Sequence, residues 1–309
     1  RLLQEEGYVH LSCGDSCGVG SAKKVMEGTG MDQMLEDYGV AIVDFNEGST
    51  VSYPQGHTAK EFFLAKPVQE TDALINLCKM KTHALERVTG GVKNLYGCIS
   101  GLHKAKGHTK YTNADIFARQ LIDLNQLIKP RFCVMDGIVA MDGNGPTSGD
   151  PVKMKVLLLG NDPVAIDSVY CHLVHLDPQM VPTNVHGETM GLGTWREENI
   201  RLLTDGGEIT MQEAVERFGN PDFNVDRKKQ RGNLWNRFNN GFLRYFQKKP
   251  YIEEDKCKKC GICVEACPVE GKALQFKNGR RKPPVYNYHK CIRCFCCQEM
   301  CPHKAIQVK

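Results

Sequence analysis

Cys257-x2-Cys260-x2-Cys263-x3-Cys267-Pro268 is followed by Cys291-x2-Cys294-x2-Cys297-x3-Cys301-Pro302, one spacing written twice. Three thiolates at intervals of three residues can wrap one face of a cuboidal iron–sulfur cluster. A fourth, four residues further on and followed by proline, points away and reaches a neighbouring cluster. The spacing therefore predicts crossed ligation of two [4Fe–4S] clusters. Cys257, Cys260, Cys263 and Cys301 would hold one, and Cys291, Cys294, Cys297 and Cys267 the other. A single CxxC is compatible with zinc, a redox dithiol or chance. Zinc sites use two separated pairs and have no need of a third cysteine and a Cys-Pro in each copy. Cys296, inside the second run, is expected either to fill buried space or to tune the cluster environment.

A second stretch is basic. Between Lys79 and Lys110 lie seven Lys or Arg and three His, with Glu86 the only acid. Lys79-Met-Lys-Thr-His83 follows a buried-strand candidate at residues 73–78. In a parallel α/β sheet, ligands bind at the carboxyl ends of strands. A concave site lined by Lys79, Lys81, His83, Lys93 and Asn94 would suit an anion; the competing reading is a solvated basic surface. His83 or His108 would move protons. Asp136 and Asp142, in Asp136-Gly-Ile-Val-Ala-Met-Asp-Gly-Asn-Gly-Pro146, would orient a histidine or bind a cation, although Asp-Gly and Asn-Gly-Pro are equally turn signals. His83, His108 and Asp136 together are an alternative metal site.

The elements that must position these residues read as an alternating α/β pattern. A strand and a glycine-rich turn at residues 8–21 precede a helix over 21–38 and a strand at 40–44, a βαβ-like start. Gly18-x-Gly20 is an ordinary strand–helix turn or an anion-binding one. Cys13 and Cys17, four apart in it, do not make a metal site by themselves. A short helix is expected within 60–68 and a helix over 115–127 with an apolar face of Ile116, Phe117, Leu121 and Leu124, stopped by Pro130. Strands follow at 132–135 and 155–159. Asp162 is the natural cap of the helix after it, and Thr210 with Glu213 forms a capping box. Residues 227–249 carry eight Lys or Arg and no acid, with Leu234, Trp235, Phe238, Phe242, Tyr245 and Phe246 at helical spacing. This basic amphipathic linker is expected to pack on the α/β part, with peripheral contact to an anionic membrane as the alternative.

Hydrophobic residues make up 41% and charged residues 25%, the proportions of a folded protein. No apolar run approaches the length of a bilayer span. Iron–sulfur ligands must stay reduced, which favours a cytoplasmic setting over an oxidising one. No nucleic-acid motif is visible.

The cysteine stretch resembles the bacterial two-cluster ferredoxin module. Lys79-Met-Lys-Thr-His83, Gly91-Val-Lys-Asn-Leu-Tyr-Gly97, the 136–146 loop and Asn161-Asp-Pro-Val-Ala-Ile-Asp167 resemble the core of the DUF362 family, whose function is largely unassigned. In relatives the second acid of the glycine loop is typically glutamate where this chain has Asp142. The resemblance implies an α/β domain over 1–225 with a parallel or mixed sheet and flanking helices, a linker at 226–250 and a small α+β ferredoxin domain over 251–309. It further implies that the chain, which starts at Arg1, lacks a first strand–helix unit. The expected function is electron transfer to or from an anionic small molecule, or an unidentified second cofactor, in the basic cleft. The alternative is a non-enzymatic electron-transfer subunit or metallocofactor-assembly partner that docks an acidic protein.

Overall fold

The computed structural model describes residues 1–16, 21–100, 103–111, 113–228, 248–277 and 279–309, with backbone alone at 105, 106, 108 and 109. Cys17, the Gly18-x-Gly20 turn, the His108 side chain and most of the basic linker lie outside them.

After α1 (Leu2–Glu5), β1 (Ser12–Asp15) runs parallel to β2 (Ala41–Asp44), as the βαβ-like start predicts. The helix expected over 21–38 is instead two, α2 (Ala22–Glu27) and α3 (Met31–Asp37). Gly28-Thr-Gly30 separates them, with Gly30 at φ +72°, a left-handed conformation that glycine tolerates because it has no Cβ. The helix expected within 60–68 is also corrected. β4 (Glu61–Ala65) pairs antiparallel with β3 (Gly48–Ser52), and only then does α4 (Lys66–Glu70) begin. Phe62 and Leu64 are buried on one side of β4, a period of two rather than 3.6.

The central sheet contains β5 (Ile75–His83), β6 (Arg87–Thr89), β7 (Phe132–Asp142), β8 (Asp150–Val152) and β9 (Val156–Gly160). Its order is β6-β5-β7-β8, with β9 also on β7. Only β5 and β7 are parallel, so the sheet is mixed. Both central strands outrun their sequence signals. Lys81, Thr82 and His83 pair with Thr89, Val88 and Arg87 of β6, so Lys79, Lys81 and His83 stand on a strand and not in a loop beyond it. Asp136 likewise sits within β7, because pairing with β5 and β9 on both sides overrides the local turn propensity.

Between these strands come α5 (Gly91–Asn94), α6 (His103–Lys110) and α7 (Ala114–Ile128), and after β9 come α8 (Pro163–Leu173), α9 (Pro182–Thr189), the hairpin β10 (Leu202–Thr204) and β11 (Gly207–Ile209), and α10 (Met211–Phe218). Phe117, Leu121 and Leu124 of α7 are buried as predicted, while Ile116 stays exposed. Asp162 caps α8 through the Val164 and Ala165 N–H groups, and Thr210 and Glu213 form the expected capping box. One sheet face packs Met80 and Met135 against Tyr170, Leu173 and Phe223. The other leaves Leu77 and Leu159 exposed.

The C-terminal module pairs β12 (Pro250–Ile252) with β15 (Ile306–Val308) and β13 (Leu274–Gln275) with β14 (Val285–Tyr286), and carries two one-turn helices, α11 (Ile262–Glu265) and α12 (Cys296–Glu299). Among the described residues no helix is long and apolar enough to cross a membrane.

Candidate functional site

The duplicated cysteine spacing folds into duplicated backbone. Lys259 and Arg293, each two residues past the first cysteine of its run, have φ +57° and +59°; Gly261 and Phe295, two further on, have +90° and +62°. Left-handed residues at matched places curl each run around a common point. A β-carbon makes this conformation unfavourable by roughly 1–2 kcal/mol per residue, so surrounding structure must hold Phe295 in it. Cys267, Cys291, Cys294 and Cys297 line one pocket with Leu274, Tyr286 and Phe295. In the other half, burial together with Cys301, Cys260 and Cys257 pushes the Cys263 thiol up to about 12. Among the described residues no three His, Cys, Asp or Glu side chains close on a single-ion site. Thiols grouped in fours suit a cuboidal cluster, whose irons each take one. Two groups also approach these sulfurs: Ala273 N–H donates to Cys267 Sγ at 3.3 Å, and Tyr286 Oη lies 3.1 Å from Cys297 Sγ. Such hydrogen bonds help set cluster potentials. Cys296 is buried beside Cys294 at the start of α12.

The module is seated on the α/β domain through α12 and the return that follows it. Gln298, fully buried, donates through Nε2 to Asn144 O, Asn144 Oδ1 and Gly145 O, each at 3.0 Å. Thr147 Oγ1 donates to Glu299 O at 2.7 Å, Asn144 Nδ2 to Ile306 O at 3.0 Å, and Lys304 Nζ to Gly149 O at 3.0 Å. The 143–149 loop reaches this position by lying on β5: a Cβ at Gly145 would stand 2.1 Å from Thr82 O, closer than any side chain permits. Glycine is needed there for the backbones to approach. The glycine-rich loop after Asp142 is therefore largely a cradle for the module, while Asp136 and Asp142 stand before it on β7.

His83 crosses the same join. Its side chain is wholly buried, and Nε2 lies 2.9 Å from Oε1 of Glu299, between Cys297 and Cys301. Nδ1 accepts the N–H groups of Leu85 and Glu86, both at 3.1 Å. Two donors at Nδ1 leave the proton on Nε2, so His83 donates to Glu299. Lys81 lies close by: burial and the Lys93 ammonium lower its pKa, with Glu299 and Asp15 acting in the opposite direction. Lys93, on α5, holds its ammonium 6.0 Å from the Tyr96 ring. Burial raises the Tyr96 pKa, helped by Cys296 and Glu299. Lys81, His83, Lys93 and Tyr96 thus stand where the cysteine module meets the α/β domain.

Other expected site residues are engaged elsewhere. Lys79 pairs with Asp136 at 2.6 Å on the open sheet face, both side chains more than two-fifths exposed. Asp142 accepts Asn224 N–H at 2.7 Å. Asn94 Nδ2 donates to Asn76 Oδ1 and Leu77 O, tying α5 to β5. Neither Asp136 nor Asp142 is bonded to His83. His186 pairs with Asp115 at 3.0 Å.

Three carboxylates escaped sequence reasoning or were undervalued by it. Glu299 has no local signal, because its role exists only across the domain join. Asp167, 2% exposed, accepts the N–H groups of Gly91 and Val92 at 2.6 and 3.1 Å, and so anchors the start of the helix that carries Lys93. Glu86 is fully buried with neither carboxylate oxygen bonded. Burial pushes its pKa up to about 8, against the pull of Lys93. A carboxyl whose folded pKa is raised stabilises the fold at low pH, and that contribution is lost as pH rises through the folded value. Between about pH 6 and about pH 9 the chain is expected to lose about 3 kcal/mol through Glu86. In Glu86→Gln this component is absent. Urea midpoints of both proteins across that range check it; parallel pH slopes would contradict it.

Residues 1–172 match the domain of unknown function DUF362, more than half of the chain. The chain belongs to the DUF362 family. Residues 249–302 match the 4Fe-4S dicluster domain. Over 212 residues, 68% of the chain, it is 36% identical to the thylakoid-associated protein sll1697 of Synechocystis sp.. The match spans 65% of that relative's length. A DUF362 domain and a 4Fe-4S dicluster domain thus follow one another in this chain, which spans less than two thirds of the length of the relative it matches. At the join, Lys81, His83 and Lys93 come from the DUF362 domain and Glu299 from the module.

Proposed function

We propose that this chain passes electrons between its iron–sulfur module and an anionic substrate or second cofactor held at the join, as an iron–sulfur oxidoreductase. Cys257, Cys260, Cys263 and Cys301 would hold one [4Fe–4S] cluster, and Cys291, Cys294, Cys297 and Cys267 the other. The clusters supply one-electron transfer, commonly at low potential. The observation that carries the reading is the His83–Glu299 contact at 2.9 Å, which sets the basic end of β5 against α12, the helix that carries Cys297 and leads to Cys301. Lys81 and Lys93 hold the anion by charge. Lowering of the Lys81 pKa by burial and by Lys93 suits such a role, since an arriving anion relieves the repulsion between the two ammonium groups. His83 holds a proton at Nε2 and can exchange it with Glu299. Asp167 positions Lys93 through the start of α5. Lys79 and Asp136 neutralise each other and stand outside this group. Reduced thiols suit the cytoplasm, and the relative's thylakoid association adds a membrane surface as a second setting.

The second reading is a non-enzymatic electron-transfer or metallocofactor-assembly subunit that docks an acidic protein. It draws support from Asp136, Asp142 and Asn94, whose engagement within the fold withdraws three expected site groups.

Anaerobic purification from the native host, with iron and small-molecule analysis, tests both. The first reading expects eight irons, the content of two [4Fe–4S] clusters, and a co-purifying anion whose occupancy falls at least about tenfold in Lys81→Gln/Lys93→Gln. Eight irons with an empty join would select the second reading. Iron far below eight after reconstitution would overturn both.

A further inference from the structure

Charge is divided sharply along this chain. Residues 1–226 carry 20 Lys or Arg against 30 Asp or Glu, and residues 227–309 carry 20 against 6. Within the module the excess is concentrated at 256–282, with eight basic residues and two acids. The contacts that seat the module on the DUF362 domain come from residues 298–306. Among the described residues no hydrogen bond or ion pair joins 256–282 to residues 1–226. The exposed cations of this basic half are thus not tied to the DUF362 domain by a hydrogen bond or ion pair among the described residues.

Its cations cluster at the first cysteine run. Arg280 lies over the Phe276 ring at 5.8 Å, and its Nη2 stands 3.1 Å from where a Cβ on Gly261 would be, between Cys260 and Cys263. Lys258, Arg280, Arg281 and Lys282 are exposed, and none has a carboxylate partner among the described residues. Lys256 is taken by Glu253 at 2.6 Å, and Glu254 and Asp255 moderate that edge of the patch. We propose that this face docks an acidic protein electron carrier, a small redox protein rich in surface carboxylates, over the Cys257–Cys263 run. The inference rests on the functional reading above and adds the partner and its place. A carrier seated here would exchange electrons with the cluster of the Cys257–Cys263 run, on cations that the module itself supplies, and would leave Lys81, His83 and Lys93 to the anion. Charge complementarity of this kind steers encounter and sets orientation. An anionic lipid surface would also be attracted by the charge, but a position over the cysteine run is of use only to an occupant that exchanges electrons.

The test uses the iron-loaded full chain and an acidic flavodoxin as probe, with affinity read by calorimetry. Binding is expected at about 20 mM salt and should weaken at least about tenfold by about 300 mM, as screening shortens the reach of the charges. Arg280→Glu/Arg281→Glu/Lys282→Glu should weaken low-salt binding at least about tenfold, while Lys153→Glu on the DUF362 domain leaves it unchanged. If the triple variant loses iron, Arg281→Gln/Lys282→Gln gives the same comparison in milder form. No binding at low salt, or binding insensitive to these changes, would overturn the docking face. So would loss of capture by phosphatidylglycerol vesicles with flavodoxin affinity intact. A wild-type chain that fails to hold iron strikes at the functional reading instead, so the two failures are distinguishable.

Discussion

Cys301→Ala and Cys257→Ala should erase the same cluster, although 44 positions separate them in the chain. Crossed ligation, as proposed, would make Cys301 the fourth ligand of the run at Cys257, Cys260 and Cys263, and Cys267 the fourth ligand of the run at Cys291. The grouping of Cys301 with Cys263, and of Cys267 with Cys291, Cys294 and Cys297, underlies this expectation. Each of the two variants should lose about half of the iron and the same low-temperature paramagnetic signal. Cys267→Ala and Cys291→Ala should lose the other. Signals sorted by sequence run, with Cys301 grouped with Cys291, would refute crossing. The effect extends to folding. The module's own core is small, with Cys263, Leu274, Cys297 and Ile306 as one cluster and Cys267, Ala273 and Cys291 as another. Since the cysteines themselves are much of that core, removing a cluster leaves buried thiols facing one another, and near-ultraviolet dichroism of the module should collapse with the iron.

Asp167→Ala is expected to cost about 3–5 kcal/mol, a large part of a typical domain's stability. The carboxylate is buried and takes two backbone N–H groups, so truncation leaves two donors without an acceptor where water does not reach. It also empties the space against Gly90, where a Cβ would stand 2.1 Å from Asp167 Oδ1. Asp167→Asn retains one acceptor oxygen and should recover roughly half of the loss. Urea unfolding at fixed pH measures both. Burial raises the Asp167 pKa to about 7 against the pull of Val92 and Gly91. Its contribution to the fold is thus largest at low pH and declines as pH rises through that value. Because the carboxylate anchors α5, the variant should also loosen anion retention by Lys93 beyond what instability alone predicts, a difference visible at temperatures where the fold is intact.

The cysteine module was legible because its chemistry is local. Eight cysteines and two prolines repeat one spacing within short runs, and the backbone repeats its left-handed turns with it. The helix caps at Asp162 and Thr210 were legible for the same reason: an acceptor side chain acts on N–H groups two or three residues away. Strand ends were not. A short helix is expected within 60–68 and Lys79–His83 beyond a strand, yet Glu61–Ala65 and Ile75–His83 form strands because partners remote in sequence pair with them, and the helix starts only at Lys66. Strand propensity is largely a statement about neighbours, and a single segment does not carry them.

For the site itself, the sequence marked the basic stretch at Lys81, His83 and Lys93 and the cluster cysteines without saying that they meet. Residue type and spacing determined the iron–sulfur module, the α/β class and the candidate cations, since each depends on chemistry within a few residues. Only the tertiary structure decided that Asp136 answers Lys79, that Asp142 and Asn94 serve the fold, and that Glu299 faces His83. Those pairings join residues up to 216 positions apart. They exist because Gly145 lets a loop lie on Thr82 and Gln298 closes on that loop, a convergence set by packing in three dimensions.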